Sequence, residues 1–311
     1  MFFGSSDFSI PSLDFCLSPP HRLVAVVTTP DRPQGRGLRL EPNPVKRRCE
    51  ELEISTCTPS SLRDPTLEKK IDSLGPDLFV VASYGKLIPS SWLQIPKMAA
   101  WNVHPSLLPK YRGAAPIPWQ ILEGEKETGV TIAIVTKDLD AGDIVHQIRI
   151  PLGPRQTTES LTQQLAQLGR KALEETWVKT TEGTLHLIPQ KESKSSYARK
   201  LTKEDGYLDL RGEALELSRK IRAFHPWPGT FISYRKQALR ILEGDFDSTA
   251  CAEAKRGTLL DVNPEGYLRV QTGKGSLKIL RVQLPGRKPV SGIEFANGQR
   301  LTPGFVFESL R

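Results

Sequence analysis

The feature of this sequence that most constrains its fold is an uninterrupted apolar run at residues 78–82, LFVVA. Strands with one solvated face alternate polar and apolar side chains, whereas strands buried on both faces of a parallel sheet are apolar throughout. Further short apolar stretches occur in the first half of the chain, separated by amphipathic or turn-rich segments. This alternation is typical of βα units and predicts a doubly wound, mostly parallel α/β sheet of the Rossmann-like type.

The same pattern locates individual elements. Strands are predicted at residues 2–3, 23–28, 78–83, 99–103 and 130–135, and helices at residues 10–17, 44–53, 65–74, 117–123 and 157–180. Ligands of doubly wound folds bind at the carboxyl ends of the strands. Residues that directly follow a strand are therefore the first candidates for a functional site.

The pattern changes in the last two fifths of the chain. Residues 190–206 are polar, rich in Ser and Lys and without apolar periodicity, which predicts a linker. A short helix is predicted at residues 215–224. Short alternating runs separated by turn residues follow at 230–234, 238–242, 257–261, 268–271 and 277–283. These runs predict a small antiparallel barrel or sandwich.

The expected organisation has three parts, an α/β domain at residues 1–189, a linker at 190–206 and a C-terminal β-domain at 207–311. The excess positive charge lies entirely after residue 189. The first 189 residues contain 21 basic and 21 acidic side chains and the remainder contain 22 and 14, which accounts for the net charge of +8. A basic module favours a polyanionic partner such as nucleic acid, with a surface kept basic for solubility as the alternative. Trp227, Phe231 and Tyr234 are expected in the core of this module.

Several classes of protein are excluded. No apolar run approaches the roughly 18 residues of a membrane span, and the N-terminus has neither the basic nor the apolar region of a signal peptide. The four cysteines, Cys16, Cys49, Cys57 and Cys251, are far apart and form no CxxC pair. They predict packing roles in a reducing compartment, not a disulfide framework or a zinc site. We therefore expect a cytoplasmic protein without a metal.

Two polar side chains lie at the end of one predicted strand. Asn102 and His104 are two residues apart, so they share one face of that strand. The loop DLDAGD at residues 138–143 follows another strand and provides three carboxylates. An amide, an imidazole and a carboxylate that converge on a carbonyl are suited to acyl transfer, because they stabilise the oxyanion and move protons. Taken alone, each of these elements is more typical of a bonded polar residue or a solvated turn.

The motifs around these residues resemble those of the folate-dependent formyltransferases. NVHPSLLP at 102–109, followed by YRGAAPI at 111–117, is similar to the core motif of that family, and DLDAGD is similar to its second motif. TPDRPQGRG at 29–37, AFHPWPG at 223–229 and a basic C-terminal β-barrel of the OB type extend the resemblance over nearly the whole chain.

The resemblance implies a reaction and a set of site residues. Asn102, His104 and Asp140 match the family's catalytic positions. The tetrahydrofolate carrier is expected along Ser106, Leu107, Leu108 and Pro109. The implied reaction moves the formyl group of 10-formyltetrahydrofolate to the α-amine of methionine esterified to initiator tRNA, for translation initiation, and it needs no metal.

A further segment points to the RNA. Residues 30–43 combine prolines, glycines and arginines without apolar periodicity, which predicts a long exposed loop. In the resembled enzymes this insertion enters the acceptor end of the tRNA, and Arg36 matches its key arginine. Arg32 and Arg39 are further candidates for RNA contact. The alternative is a surface loop without function. A nucleotide cradle is disfavoured because GxGxxG and GKS/T motifs are absent.

The catalytic residues do not identify the acceptor by themselves. Formyltransferases acting on nucleotide or sugar amines, and the hydrolase domain of formyltetrahydrofolate dehydrogenase, share them. The nucleotide type lacks the barrel and the loop, and the others are distinguished by partner domains and charge balance. A non-catalytic RNA-binding module is the alternative from another class. We expect the tRNA-acting enzyme, as a monomer. The first predicted strand of this sequence is shorter than in the resembled family, whose members have several residues before the position of Phe2.

Overall fold

The computed structural model describes residues 1–34, 39–248 and 254–308, which fold into two units. The first unit consists of Met1–Pro116, Glu127–Pro151 and Leu161–Arg199. The second consists of Ile117–Lys126, Leu152–Ser160 and the chain from Lys200 onward. Two short segments from the first half of the sequence thus fold with the C-terminal part.

Up to residue 199, the described strands are β1 (Phe2–Gly4), β2 (Val26–Val27), β3 (Arg32–Gln34), β4 (Arg39–Glu41), β5 (Thr56–Cys57), β6 (Leu78–Ala82), β7 (Ala99–His104), β8 (Arg112–Gly113), β9 (Glu127–Ile134), β10 (Ile144–Pro151) and β11 (Tyr197–Ala198). The helices are α1 (Ile10–Leu17), α2 (Pro44–Glu51), α3 (Pro65–Ser73), α4 (Pro116–Glu123) and α5 (Thr158–Thr181).

Local signals explain where these helices begin. Both α2 and α3 have proline at the first helical position, where no backbone N–H is needed. Asn43 caps α2 by accepting a hydrogen bond from Lys46 N at 3.0 Å, and Asp64 caps α3 by accepting one from Thr66 N at 2.9 Å. These signals account for the predicted helix starts at residues 44 and 65, and the predicted start at residue 10 is confirmed as well.

Among the described residues of the first unit, a seven-stranded sheet has the order β10-β9-β7-β6-β1-β2-β5. β1 is central and parallel to both neighbours, with Phe3 paired to Val27 on one side and to Val81 on the other. β9 is antiparallel to β7, and β10 is antiparallel to β9. The strand order reverses beside β1. This topology confirms the doubly wound, mostly parallel sheet, to which β10 adds an edge strand that the sequence pattern did not predict.

The apolar run at residues 78–82 forms β6 and lies in the core. Phe79 is fully buried in β6, and its ring packs edge-on against Phe3 with centroids 5.0 Å apart. Tyr84 and Trp92 add edge-on contacts to the same Phe3 ring at 5.6 and 6.3 Å. Such aromatic pairs contribute about 0.5 to 1.5 kcal/mol each beyond the burial of their area. They stabilise β1 and β6, and β6 pairs directly with β7.

Within the segment predicted as a loop, residues 32–34 and 39–41 form a two-stranded ribbon. β3 and β4 pair antiparallel, with Arg32 opposite Glu41 and Pro33 opposite Leu40. Lys46 in α2 bonds Asp31 at 2.7 Å at the base of the ribbon. Backbone pairing of two strands does not require alternating apolar side chains, which is why the sequence pattern predicted only a loop.

The stretch 190–206 is more ordered than a linker pattern suggests. Its first ten residues fold with the first unit, and β11 pairs parallel with β8, Tyr197 opposite Arg112 and Ala198 opposite Gly113. A two-residue strand held by backbone bonds leaves no periodicity in the sequence. The boundaries 189 and 206 therefore stay a prediction.

The second unit is built on an antiparallel sheet. Its described elements are α6 (Ala214–Ala223), β12 (Thr230–Tyr234), β13 (Gln237–Asp247), β14 (Leu259–Val262), β15 (Leu268–Gln271), β16 (Ser276–Gln283), β17 (Val290–Ser291) and α7 (Gly292–Gln299). The order is β12-β13-β16-β15-β14, with β17 beside β16. Ser233 in β12 bonds Glu308, and Leu259 in β14 donates to Phe305 O, both at 2.7 Å. One C-terminal segment thus joins both edges into a barrel, as expected.

Side-chain burial corrects one expectation for this unit. Tyr234 is buried and Phe231 is half-buried, but Trp227 is 55% exposed. Trp227 lies between two prolines in the turn before β12, so its side chain is not carried by the alternation of a strand. Within the first unit, the predicted packing role fits Cys16 and Cys49, which are buried, and Cys57 is half-buried. Cys251 lies outside the described residues.

Candidate active site

The site begins at the carboxyl end of β7. Trp101 and Val103 point into the core on one face of this strand, and Asn102 and His104 alternate onto the other face. Asn102 is half-buried and His104 is 4% exposed. Because β7 pairs with β6 on one side and β9 on the other, both side chains are held on a rigid element.

Asp140 completes the site from the loop between β9 and β10. Its Oδ1 accepts a hydrogen bond from Asn102 Nδ2 at 2.9 Å, and its Oδ2 accepts one from Gly113 N at 2.8 Å. The same Oδ2 lies 3.6 Å from His104 Nδ1. The carboxylate is therefore shared between the two residues of β7, and its side chain is only 9% exposed.

The backbone of this loop is constrained. Asp140 has φ +52°, a left-handed conformation that aspartate tolerates better than most residues. Two residues later, Gly142 passes so close to β9 that an added Cβ would lie 1.9 Å from Ile134 O. Only glycine fits there. The sequence offered three carboxylates, and this turn brings that of Asp140 to Asn102 and His104, while Asp138 is exposed.

A hydrogen bond to a backbone carbonyl determines which ring nitrogen of His104 carries a proton. Nε2 lies 2.9 Å from Tyr111 O. A carbonyl oxygen only accepts, so Nε2 carries a proton in the neutral and in the charged ring. Nδ1 is the ring nitrogen that faces Asp140. Tyr111 itself has φ +61°, an uncommon conformation for a bulky residue.

The predicted carrier segment follows His104 directly. Ser106 and Leu108 are buried, whereas Leu107 and Pro109 are partly exposed. The hydroxyl of Thr131 donates to Ser106 O at 2.7 Å and accepts from Leu108 N at 3.1 Å. The polar backbone of the segment is thus bonded internally, and the surface it offers to a ligand is apolar.

Sequence reasoning missed the residues that hold this geometry. Thr131 in β9 and Gln147 in β10 fix the predicted carrier segment. Gln147 donates to Leu108 O at 2.8 Å and to the Thr131 hydroxyl at 2.9 Å. Tyr111 and Gly113 act through backbone atoms. Side-chain patterns carry no signal for backbone contacts, and Thr131 and Gln147 are ordinary strand residues in the sequence.

The three arginines predicted to contact RNA lie apart from this cluster in the sequence. Arg32 is exposed in β3, Arg39 belongs to β4, and Arg36 lies outside the described residues. Across 1–34, 39–248 and 254–308, no group of three or more His, Cys, Asp or Glu side chains is placed to hold a metal ion. In the same ranges no helix has both the length and the apolar character to cross a membrane.

Comparison with known proteins identifies the class. Residues 1–177 match the family model "Formyl transferase", and residues 200–300 match "Formyl transferase, C-terminal domain". The chain therefore belongs to the formyl transferase family. A methionyl-tRNA formyltransferase from Synechococcus sp. (strain JA-2-3B'a(2-13)) is 41% identical, covering 100% of this chain and 98% of the relative. A methionyl-tRNA formyltransferase from Geobacter metallireducens is 39% identical, covering 98% of this chain and 96% of the relative. The chain belongs to the methionyl-tRNA formyltransferase family, and its activity is formyl transfer.

Solved structures agree on the fold. An N-formyltransferase from Helicobacter canadensis, in complex with folinic acid and dTDP-3-aminofucose, matches with a TM-score of 0.65 at 18% identity, over 89% of this chain and 97% of that chain. WlaRD, a sugar 3N-formyl transferase, matches with a TM-score of 0.65 at 17% identity, over 92% of this chain and 97% of that chain. At this identity the likeness concerns the fold alone.

Proposed function

We propose that the chain transfers the formyl group of 10-formyltetrahydrofolate to the α-amine of methionyl-initiator tRNA, with Asn102, His104 and Asp140 as catalytic residues. One observation carries the assignment of roles. The Asp140 carboxylate bonds the Asn102 amide and faces Nδ1 of His104, while Tyr111 O holds the other ring nitrogen. An amide donor, an imidazole nitrogen and a carboxylate therefore meet at one strand end.

The chemistry follows from these positions. The amine nitrogen attacks the formyl carbon, a C–N bond forms, and the carbonyl oxygen becomes an oxyanion. The second N–H of the Asn102 amide and Nδ1–H of charged His104 donate to this oxyanion. Asp140 takes the proton that the amine loses. When the carbonyl re-forms, the bond from carbon to N10 breaks, and that proton passes to N10 of the departing tetrahydrofolate.

The carrier fits the segment after His104. Leu107 and Pro109 offer partly exposed apolar surface, and the backbone of the segment is already bonded to Thr131 and Gln147. The donor therefore meets a preformed apolar edge, which is typical of sites for small molecules. Ser106 and Leu108 support this edge from the buried side.

The acceptor is a polyanion, and two sets of basic residues suit it. Arg32, Arg36 and Arg39 are the candidates at the acceptor end. In the second unit the exposed pairs Arg235–Lys236 and Arg287–Lys288 suit the phosphate backbone, which positions an RNA without reading its sequence. We further propose that the protein is a cytoplasmic monomer, in keeping with a substrate that is a freely diffusing tRNA.

The primary test is transfer of a labelled formyl group from 10-formyltetrahydrofolate to methionyl-initiator tRNA. Uncharged tRNA, glycinamide ribonucleotide and a dTDP-amino sugar serve as parallel acceptors. His104→Ala should lower turnover by about 10²-fold to 10⁴-fold, whereas His186→Ala, at an exposed histidine of the same unit, should leave it unchanged. Label on another acceptor alone would refute the tRNA assignment. Activity of His104→Ala within tenfold of wild type would refute the role of His104.

A salt titration of tRNA binding tests the second unit. Each phosphate contact contributes roughly −0.9 to the slope of log K against log salt on a duplex. Replacing Arg235 and Lys236 by Glu should weaken binding to all tRNAs alike and reduce the slope by about 2. The matched control replaces Arg63 and Lys69, exposed on the first unit, by Glu. Equal effects of the two double variants would point to net charge instead of a defined face.

A further inference from the structure

The side chain of Gln190 binds the backbone of the loop that carries Asp140. Gln190, which follows α5 in sequence, donates through Nε2 to Asp140 O at 2.8 Å and to Gly142 O at 2.6 Å. The two hydrogens of one amide nitrogen thus bind the backbone on both sides of Ala141. These bonds hold the turn in which Asp140 adopts its left-handed backbone conformation.

Arg112 determines which way the Gln190 amide points. Arg112 Nε donates to Gln190 Oε1 at 3.1 Å. A guanidinium has no acceptor, so the oxygen of the amide must face Arg112 and the nitrogen must face the loop. The Arg112 side chain is 3% exposed and is itself held by Glu192, whose oxygens lie 2.9 and 3.2 Å from Nη1. The orientation of Gln190 is therefore fixed.

The backbone of residues 111–113 contacts both His104 and Asp140. Tyr111 O faces Nε2 of His104, and Gly113 N binds Asp140 Oδ2. Arg112, between them, donates its own backbone N–H to Ser196 O at 2.8 Å. Three consecutive residues thus hold His104, Gln190 and Asp140.

We infer that Gln190, oriented by Arg112, is a positioning residue for formyl transfer, because it holds the backbone of Asp140 so that the carboxylate meets Asn102 and His104. This inference rests on the proposed function. Gln190 acts through Asp140 and touches neither the donor nor the acceptor in this role. Loss of its donor should let the carboxylate turn away, and misplacement of a reacting group by about 1 Å costs roughly 10²-fold in rate.

Two variants of nearly equal shape test the inference. Gln190→Glu keeps an oxygen for Arg112 but cannot donate to Asp140 O and Gly142 O. Gln190→Met loses both interactions without adding charge. Both should lower kcat by about 10-fold to 100-fold and leave KM for 10-formyltetrahydrofolate within about threefold. Gln167→Met, at an exposed glutamine of α5, is the control and should match wild type.

A double variant separates positioning from a general loss of structure. In single-turnover reactions of an Asp140→Asn enzyme, adding Gln190→Glu should reduce the rate less than twofold, because the residue through which Gln190 acts has already been changed. A full additional 10-fold loss would overturn the inference. So would wild-type kcat in Gln190→Glu or in Gln190→Met. If wild-type protein formylates none of the acceptors, the proposed function fails, whereas normal wild-type activity with an active Gln190→Glu variant refutes this inference alone.

Discussion

Replacing Thr131 by valine should destabilise the first unit far more than its small change in size suggests. The hydroxyl donates to Ser106 O and accepts from Leu108 N and Gln147 Nε2, at 2.7, 3.1 and 2.9 Å. Valine has nearly the same shape but bonds none of them. Gln147 keeps its second partner, Leu108 O. The buried Ser106 O and Leu108 N–H lose their hydrogen-bond partner. Each unsatisfied group costs about 1 to 3 kcal/mol, so the free energy of unfolding should fall by about 2 to 6 kcal/mol.

Urea unfolding followed by tryptophan fluorescence measures this change, because Trp92 and Trp101 are both fully buried in the first unit. The slope increases with protein size, and with a value of about 3 kcal/mol per molar urea the midpoint should fall by about 0.7 to 2 M. Thr176→Val is the matched control: Thr176 is also fully buried, but its hydroxyl donates to Ala172 O, which the helix already uses. A midpoint for Thr131→Val equal to that of this control would refute the reasoning.

Three further predictions concern the loop and the core. Asp140→Asn keeps the shape but loses the charge, and kcat should fall by about 10²-fold to 10⁴-fold in the formyl-transfer assay with normal thermal unfolding. Gly142→Ala would place a Cβ 1.9 Å from Ile134 O, so kcat should fall by about 10²-fold, whereas Gly298→Ala, where a methyl meets open space, should not change it. Burial raises the pKa of the Cys16 thiol to about 12. Between about pH 9 and pH 11 the unfolded chain loses this proton and the folded chain keeps it, so Cys16 should lower stability by about 1.4 kcal/mol per pH unit. Cys16→Ala should reduce the measured slope by that amount.

Much of the first unit was predictable because side-chain periodicity and helix caps are local. The run at residues 78–82 became β6, and the helix predicted at residues 10–17 has those bounds in the structure. The elements that were missed are short or lie at edges. β5, β8 and β11 have two residues each, too few to show any period, and they form because a neighbouring backbone offers partners.

The site was predictable only in its local part. The spacing of Asn102 and His104 places them on one face of a strand whatever the rest of the fold. The choice of Asp140 among three carboxylates came from resemblance in the sequence, and in the structure it depends on a left-handed turn and on the close approach of Gly142 to Ile134. Neither constraint is visible in the residue types alone.

The sequence by itself determined the fold class, the family and the pair of polar residues at the end of β7, because these depend on periodicity and contiguous motifs. The tertiary structure decided which ring nitrogen of His104 faces Asp140, because the carbonyl of Tyr111 binds the other one. It also decided which side chain holds the loop: Gln190 lies 50 residues from Asp140 and 78 from Arg112 in the sequence. The physical reason is that hydrogen bonds to backbone atoms depend on where two distant segments meet. Packing of the whole unit fixes that position, and no local pattern encodes it.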